Sequence, residues 1–395
     1  MITADQFLRV CKSQGLKNFF GTPCSYLKPL INRVIDDQEI FYQDATNEGD
    51  AVAMACGANL AGGIAVVMCQ NSGLGNAVNA LTSLAYPFRF PLLLIVTHRA
   101  EPGGVPDEPQ HELMGSITKS LLDTMQIPWS QFPEVEAEIV PVINQAMQYM
   151  KEKSLPYSLV MRKDSLTPCA LETSEQTFVP HETAVRVCEK QQIDPQNRAK
   201  RMQALRVLVE EQQAHDILLA TTGKTGRELY TIGDKKNQFY MVGSMGSAAS
   251  FSLGAALAVP EKRLVCIDGD AALLMRMGNL VSIGAVKPEN LLHVVLDNES
   301  NDSTGGQSTP SANVSLAAIA QACGYRKVYS TDDINDFRIM LQKTVRQRGP
   351  FFIRLRIKKG SAANLGRPQI RPHEVKERLM RYIANTRGAA YVHNT

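Results

Sequence analysis

Between residues 17 and 161, short β-rich runs alternate with amphipathic helical stretches, and the alternation restarts at residue 198 and continues to 357. Strands separated by helices need crossover connections, which favour parallel sheets covered on both faces. In the first half, residues 17–20, 39–42, 63–69, 91–97 and 157–161 read as strands, with helical patterns over 3–13, 48–61 and 76–86. In the second half, a helix from 198 to about 213 precedes strands over 216–220, 238–241, 263–267, 291–296, 327–329 and 351–357. Between the halves, residues 166–197 are polar and carry Pro168, Pro180 and Pro195, the composition of a linker. The expected architecture is α/β: two doubly wound parallel-sheet domains, residues 1–165 and 198–387, joined by a linker over 166–197 and followed by a frayed tail over 388–395. At 395 residues the chain leaves little room for a third domain.

Charge narrows the partners. Lys and Arg number 42 against 39 Asp and Glu, a net +3, so no nucleic acid or anionic membrane is demanded. No run approaches the roughly 20 apolar residues of a membrane span, and the opening Met-Ile-Thr-Ala-Asp lacks a signal-peptide layout. A cytoplasmic protein is expected. The eight cysteines are scattered singly, which disfavours zinc or dithiol chemistry, and most read as buried small hydrophobes. Cys24, in a Gly-Thr-Pro-Cys-Ser turn, is the exception that merits a closer reading.

The most informative stretch delivers Asp268-Gly269-Asp270-Ala271 from the end of one strand, and Asp297-Asn298-Glu299-Ser300 from the end of another. Both tips fall at the carboxyl edge of an open parallel sheet, where ligands bind. A carboxylate and an amide oxygen there form the hard donor set that Mg²⁺ prefers. The simpler reading is a plain turn with Asp270 capping the next helix. Two glycine-rich loops, Thr221 to Gly226 and Gly243 to Gly246, can each present backbone N–H groups to phosphate, although such turns also serve close packing. Met245 reads either as core filling or as an apolar prop beneath a ligand. In the first half, Glu48 stands where a strand end runs into a helix start, a place the helix dipole alone makes favourable for an acid.

Taken together these stretches resemble the thiamine diphosphate enzymes, whose signature is Gly-Asp-Gly followed after a little under thirty residues by a strand ending in Asn-Asn. Here Asn298 stands 28 positions after Asp270. The resemblance implies that Asp270, Asn298 and the Ser300 carbonyl hold the metal. It also implies a cofactor set of Asn76, Thr222, Gly223, Gly243, Ser244, Met245, Gly269, Ala271 and Ala272. Glu48 would hydrogen-bond the aminopyrimidine ring and so promote loss of the thiazolium C2 proton. Two signature positions differ, Ala271 for Gly and Asp297 for Asn, and a methyl at Ala271 slightly restricts backbone approach to a phosphate.

The loops of the first half narrow the resemblance to the phosphonopyruvate decarboxylase family. They are Gly21 to Ser25, Gln70 to Asn76, and His98 to Gly103 with Asp107 to His111. Asn47-Glu48-Gly49, Leu296 to Gln307, and Leu365-Gly366-Arg367-Pro368 near the end complete the match. Family members often show His where this chain has Ser247 and Arg276. The implied substrate is phosphonopyruvate, a 2-keto acid. Ser25, Asn47, Gln70, Asn71, Arg99, Gln110 and His111 are its candidate contacts, with Arg99 gripping one anionic group and His111 relaying a proton. Sulfopyruvate decarboxylase is the nearest alternative, and a degenerate thiamine fold that binds a partner is a second. A nicotinamide-dependent enzyme is disfavoured because no strand leads into Gly-x-Gly-x-x-Gly. The resemblance further implies no middle domain and a homo-oligomer, at least a dimer, whose active site lies at a subunit interface.

Overall fold

A computed structural model describes residues 1–173 and 193–387. The tail over 388–395, Cys188 and most of the expected linker lie outside the described residues. The chain divides into two compact units, Met1–Val179 and Pro180–Thr395.

The first unit begins with α1 (Ala4–Ser13), whose start is fixed by a capping box between Thr3 and Gln6. The chain continues through β1 (Asn18–Gly21), α2 (Lys28–Asp36), β2 (Phe41–Asp44), α3 (Glu48–Ala58) and β3 (Ala65–Gln70). Then follow α4 (Leu74–Ala80), a π turn over Leu81–Ala85, α5 (Tyr86–Phe88), β4 (Leu92–Thr97), α6 (Glu112–Thr124), β5 (Trp129–Gln131), α7 (Glu136–Lys153) and β6 (Tyr157–Met161). The six strands form one parallel sheet in the order β2-β1-β3-β4-β6-β5. Every residue of β4 and β6 is buried, as a sheet covered on both faces requires. β5 is absent from the sequence reading because Trp129-Ser130-Gln131 is a three-residue edge strand, too short for any periodicity.

Residues 166–173 run against this unit. The Ile2 amide donates to the Ser165 carbonyl and the Thr167 amide to the Ile2 carbonyl, and the backbone of Glu172 and Thr173 donates to the Asp36 carboxylate.

The second unit contains α8 (Arg201–Glu210), β7 (Ile217–Ala220), α9 (Lys224–Ile232), β8 (Gln238–Tyr240), α10 (Ala248–Ala258), β9 (Leu264–Gly269), α11 (Asp270–Met275), α12 (Asn279–Val286) and β10 (Leu291–Asp297). A small antiparallel ribbon pairs β11 (Ser300–Asn301) with β12 (Gln307–Ser308). The unit ends with α13 (Leu316–Ala322), β13 (Lys327–Thr331), α14 (Ile334–Thr344), β14 (Phe351–Arg356) and α15 (Pro372–Asn385). Its parallel sheet has the order β13-β14-β10-β9-β7-β8.

Both sheets are doubly wound, and each has one point where neighbouring strands send their connections in opposite directions. That point lies between β1 and β3 in the first unit and between β7 and β9 in the second. Loops diverge there and leave a crevice at the carboxyl ends of the strands. Beside each crevice runs a helix buried on all sides, Gly49 to Ala58 in α3 and Ala248 to Ala256 in α10. Small residues on every face let these helices pack without a solvent stripe. No described helix is long and apolar enough to cross a membrane.

Candidate active site

In the first unit the crevice gathers loops that follow β1, β2 and β3. Asn47 accepts from the Gly49 amide and caps α3, so Glu48 is its first residue. The Glu48 carboxylate accepts from Thr22 Oγ1 at 3.0 Å and from Asn76 Nδ2 at 2.8 Å. Gly73 closes the third side: a Cβ there would stand 2.2 Å from Glu48 Oε1. The carboxylate is therefore fixed by two donors and a glycine wall, and remains half-buried.

Next to it, Arg99 makes a two-pronged bond to Asp107, Nε to Oδ2 and Nη2 to Oδ1, both 2.8 Å, while Nη1 reaches Gln70 Oε1 at 3.4 Å. The guanidinium also stacks over the Tyr26 ring, and it holds the Asp107 carboxyl well below the usual carboxylate range. Arg99 is thus engaged by an internal carboxylate in this structure. Asn71 is fully buried, its Nδ2 donating to the Arg99 carbonyl and to Thr118 Oγ1 at 3.0 Å each, which positions the Arg99 loop. Its Oδ1 is buried and unpartnered. Gln70 Nε2 donates to Ser72 Oγ, Gln110 donates to Glu108, and Ser25 and Gln110 are exposed. His111 precedes α6 as a buried imidazole whose Nδ1 has no partner. Cys24 is buried, its thiol donating to Gln70 Oε1 at 3.3 Å, which makes it part of the packing behind Arg99.

In the second unit a cavity of about 270 Å³ opens at the crevice between β7 and β9. Of the residues expected around a cofactor it is lined by Thr222, Gly223, Met245, Gly269, Asp270, Ala271, Ala272, Asn298 and Ser300. Gly243 and Ser244 shape the loop instead. The Gly243 amide donates to Thr222 Oγ1, and Ser244, Gly243 and Gly246 all adopt positive φ, the strained geometry that turns Met245 toward the cavity wall. Ser247 is buried with its hydroxyl 2.8 Å from that of Ser244, and Arg276 packs against Gly246.

Asp270 is buried and does not act as a helix cap, because Gly269 occupies the cap position of α11. Its carboxylate instead accepts from the hydroxyls of Thr309 and Ser311, and burial together with the neighbouring Asp297 pushes it up to about 6. Asp297 is itself matched by Arg354 at 2.7 and 2.5 Å and takes bonds from Ser311 and the Glu299 amide. It supports the end of β10 through Arg354 of the neighbouring strand β14. Asn298 donates Nδ2 to Asp302 Oδ2 at 2.6 Å, which leaves Oδ1 as the atom a cation would take. Glu299 in the left-handed region makes the tight turn from Asn298 to Ser300, whose hydroxyl is buried and unpartnered.

A buried carboxylate with raised proton affinity, an amide oxygen and a strained turn with an unpaired hydroxyl together fit a hard divalent cation. Ala271 needs no glycine: its φ is not positive, and it continues helix α11.

Beneath the Asp270 loop, Cys266, Asp268 and His293 form a fully buried cluster in which Asp268 Oδ1 accepts from the Gly269 amide and His293 meets Tyr325 Oη at 3.1 Å. Lys224 and Arg201 also line the cavity and were not among the residues singled out from the sequence. The usable signal was the Thr-Gly-Lys order at a helix start. The Leu365 to Pro368 segment lies beside a second cavity of about 360 Å³ with Arg227, Arg367 and Val242 in its wall; Arg227 donates to the carbonyls of Leu365 and Gly366.

Residues 1–120 match the thiamine pyrophosphate enzyme N-terminal TPP binding domain, and residues 222–355 the C-terminal TPP binding domain. A phosphonopyruvate decarboxylase of Streptomyces hygroscopicus is 41% identical over 99% of this chain and 96% of its own length. That of Streptomyces viridochromogenes is 42% identical over 97% and 95%. A sulfopyruvate decarboxylase of Methanosarcina acetivorans is 28% identical over 95% of this chain and 96% of its own. Among solved structures, the thiamine diphosphate-dependent 4-hydroxybenzoylformate decarboxylase of Rhodococcus jostii RHA1 superposes with a TM-score of 0.71 at 13% identity, covering 92% of this chain and 100% of that one, a likeness of fold. On two Streptomyces relatives that match it nearly end to end, the chain belongs to the phosphonopyruvate decarboxylase family of thiamine pyrophosphate enzymes.

Proposed function

We propose that this thiamine pyrophosphate-dependent carboxy-lyase converts 3-phosphonopyruvate to phosphonoacetaldehyde and CO₂, a step of phosphonate biosynthesis, with Glu48 and the Asp270 loop as its working groups. The observation that carries the reading is the Glu48 carboxylate, held by Thr22 and Asn76 at the crevice of a chain whose full-length relatives at 41% and 42% identity are phosphonopyruvate decarboxylases. Sulfopyruvate decarboxylase, at 28%, is the more distant relative.

Bound thiamine diphosphate supplies the electron sink that decarboxylation needs. Asp270, Asn298 and the Ser300 carbonyl would hold Mg²⁺, Thr222 and Gly223 of the same cavity would bind the phosphates, and Met245 would be the apolar prop of the cofactor. Glu48 would hold and move the proton at the aminopyrimidine, its carboxylate fixed by Thr22, Asn76 and Gly73. His111, a buried imidazole at the start of α6, would return a proton to the product carbon. Arg99 with Asp107, Gln70 and Asn71 forms a rigid polar wall for an anionic keto acid, and Ser25, Asn47 and Gln110 complete the substrate loops.

We further place the enzyme in the cytoplasm, as a homo-oligomer in which the first unit of one subunit works with the second unit of another. A side-by-side assay of phosphonopyruvate and sulfopyruvate tests the substrate; turnover of the sulfonate alone overturns it. Calorimetric titration with thiamine diphosphate plus Mg²⁺ tests for catalytic competence, and the absence of binding would favour a degenerate fold.

A further inference from the structure

We propose that Lys224 is a direct ligand of the cofactor's diphosphate, supplying positive charge beyond that of the metal. The proposal rests on the cofactor reading above. Lys224 is the first residue of α9, where the backbone N–H groups point outward and the helix end is positive. A cation at that position is electrostatically unfavourable unless an anion faces it. Gly223, the cap residue, has φ 91° and no side chain to accept from the first-turn amides.

The side chain is half-buried and lines the cavity that contains Asp270, Asn298 and Ser300. Among the described residues no carboxylate oxygen lies within the 4.0 Å ion-pair distance of its Nζ. Its neighbour in the same cavity is differently placed. Arg201 is matched by Glu228 at 3.2 Å and Asp302 at 2.6 Å. Elsewhere in this unit Arg263 pairs with Asp216 and Arg354 with Asp297. Lys224 therefore brings an unmatched charge to a helix end that disfavours it, inside a cavity that already contains the buried acid Asp270.

A bound diphosphate resolves that imbalance. It carries more negative charge than one Mg²⁺ cancels, and Asp270 adds to the excess. An ammonium at the head of α9 and the free N–H groups behind it offer the same oxygens a charge-assisted contact, in the manner of a lysine at a phosphate-binding turn.

The test uses the full-length protein, with Lys224→Met and Lys224→Arg beside wild type, titrated calorimetrically with thiamine diphosphate in Mg²⁺ at several salt concentrations. Lys224→Met should weaken binding about 10- to 100-fold and flatten its salt dependence, while Lys224→Arg keeps most of the affinity. Thermal unfolding of the cofactor-free protein should show Lys224→Met as stable as wild type or more so, because the cation at the helix start is gone. Equal affinity of Lys224→Met and wild type would overturn the proposal. So would normal cofactor affinity combined with a raised KM for phosphonopyruvate at saturating cofactor, which would assign Lys224 to the substrate's phosphonate. A lowered melting temperature with unchanged affinity would make it structural. If wild type itself gave no heat with the cofactor, the cofactor reading would fall first, and this inference with it.

Discussion

The glycine wall beside Glu48 allows a test of the proposed catalytic geometry that leaves the carboxylate chemically intact. Gly73 has φ −76° and ψ −14°, so Gly73→Ala imposes no backbone strain. The added Cβ would lie 2.2, 2.4 and 2.6 Å from Oε1, Cδ and Cγ of Glu48. Ordinary contact distances are about 3.5 Å, so the side chain must swing aside by about 1 Å. A flexible Glu can do this, and the fold should persist.

The swing breaks the bonds from Thr22 and Asn76, each worth about 1.5–3 kcal/mol to a charged group when dry and less at this half-buried site, for a net stability loss of about 1–2 kcal/mol. A 1 Å misplacement of a catalytic group costs about 100-fold in rate. The assay is kcat at saturating cofactor, with cofactor affinity and melting temperature measured in parallel. Gly75→Ala is the control, since nothing lies within 4 Å of its added Cβ. Wild-type kcat in Gly73→Ala, or an equal loss in Gly75→Ala, would refute the assignment of Glu48.

Further outcomes follow from the same geometry. Glu48→Gln should keep the fold and much of the cofactor affinity yet lose turnover, and Asp270→Ala should lose Mg²⁺-dependent cofactor binding. If each site draws the two residues from different subunits of a dimer, mixing these variants under conditions that exchange subunits should restore about a quarter of wild-type activity, and no restoration would contradict the shared site. Burial, with the neighbouring Asp297, pushes the Asp270 carboxyl up to about 6, above the ordinary aspartate range, so the folded state takes up the proton first. Stability of the cofactor-free protein should therefore rise as pH falls from above 6 toward 4, by up to about 3 kcal/mol. Asp270→Asn should remove most of that rise; an unchanged pH profile in urea unfolding would contradict the raised value. Ala271→Gly should alter cofactor affinity by no more than about fivefold while costing about 0.5–1 kcal/mol of helix stability. A larger gain in calorimetric affinity would show that the methyl obstructs the phosphates.

Much of this was legible in the amino-acid order. The alternation of strand and helix patterns gave the two parallel sheets, because a covered sheet demands continuous apolar strands such as Leu92–Thr97. Asp270 and Asn298 stood out as hard oxygen donors at two strand tips, and Glu48 through the resemblance to thiamine diphosphate enzymes. Less was visible where a residue's role depends on what approaches it from far along the chain. Asp270 could pass for a helix cap until Thr309 and Ser311 were seen on its carboxylate. Arg99 read as a free substrate grip, whereas Asp107 occupies its guanidinium through a loop whose path no local pattern dictates.

The sequence by itself thus determined the fold class and most of the strands, which rest on local periodicity, while the candidate site positions came from strand-tip spacing and the family resemblance. Only the tertiary structure decided which charges are already neutralised. Arg99, Arg201 and Arg354 have internal carboxylates and Lys224 has none within ion-pair distance among the described residues. The physical reason is that ion pairing depends on distances of a few ångströms between segments far apart in the chain, such as Arg201 and Asp302, and no one-dimensional pattern encodes them.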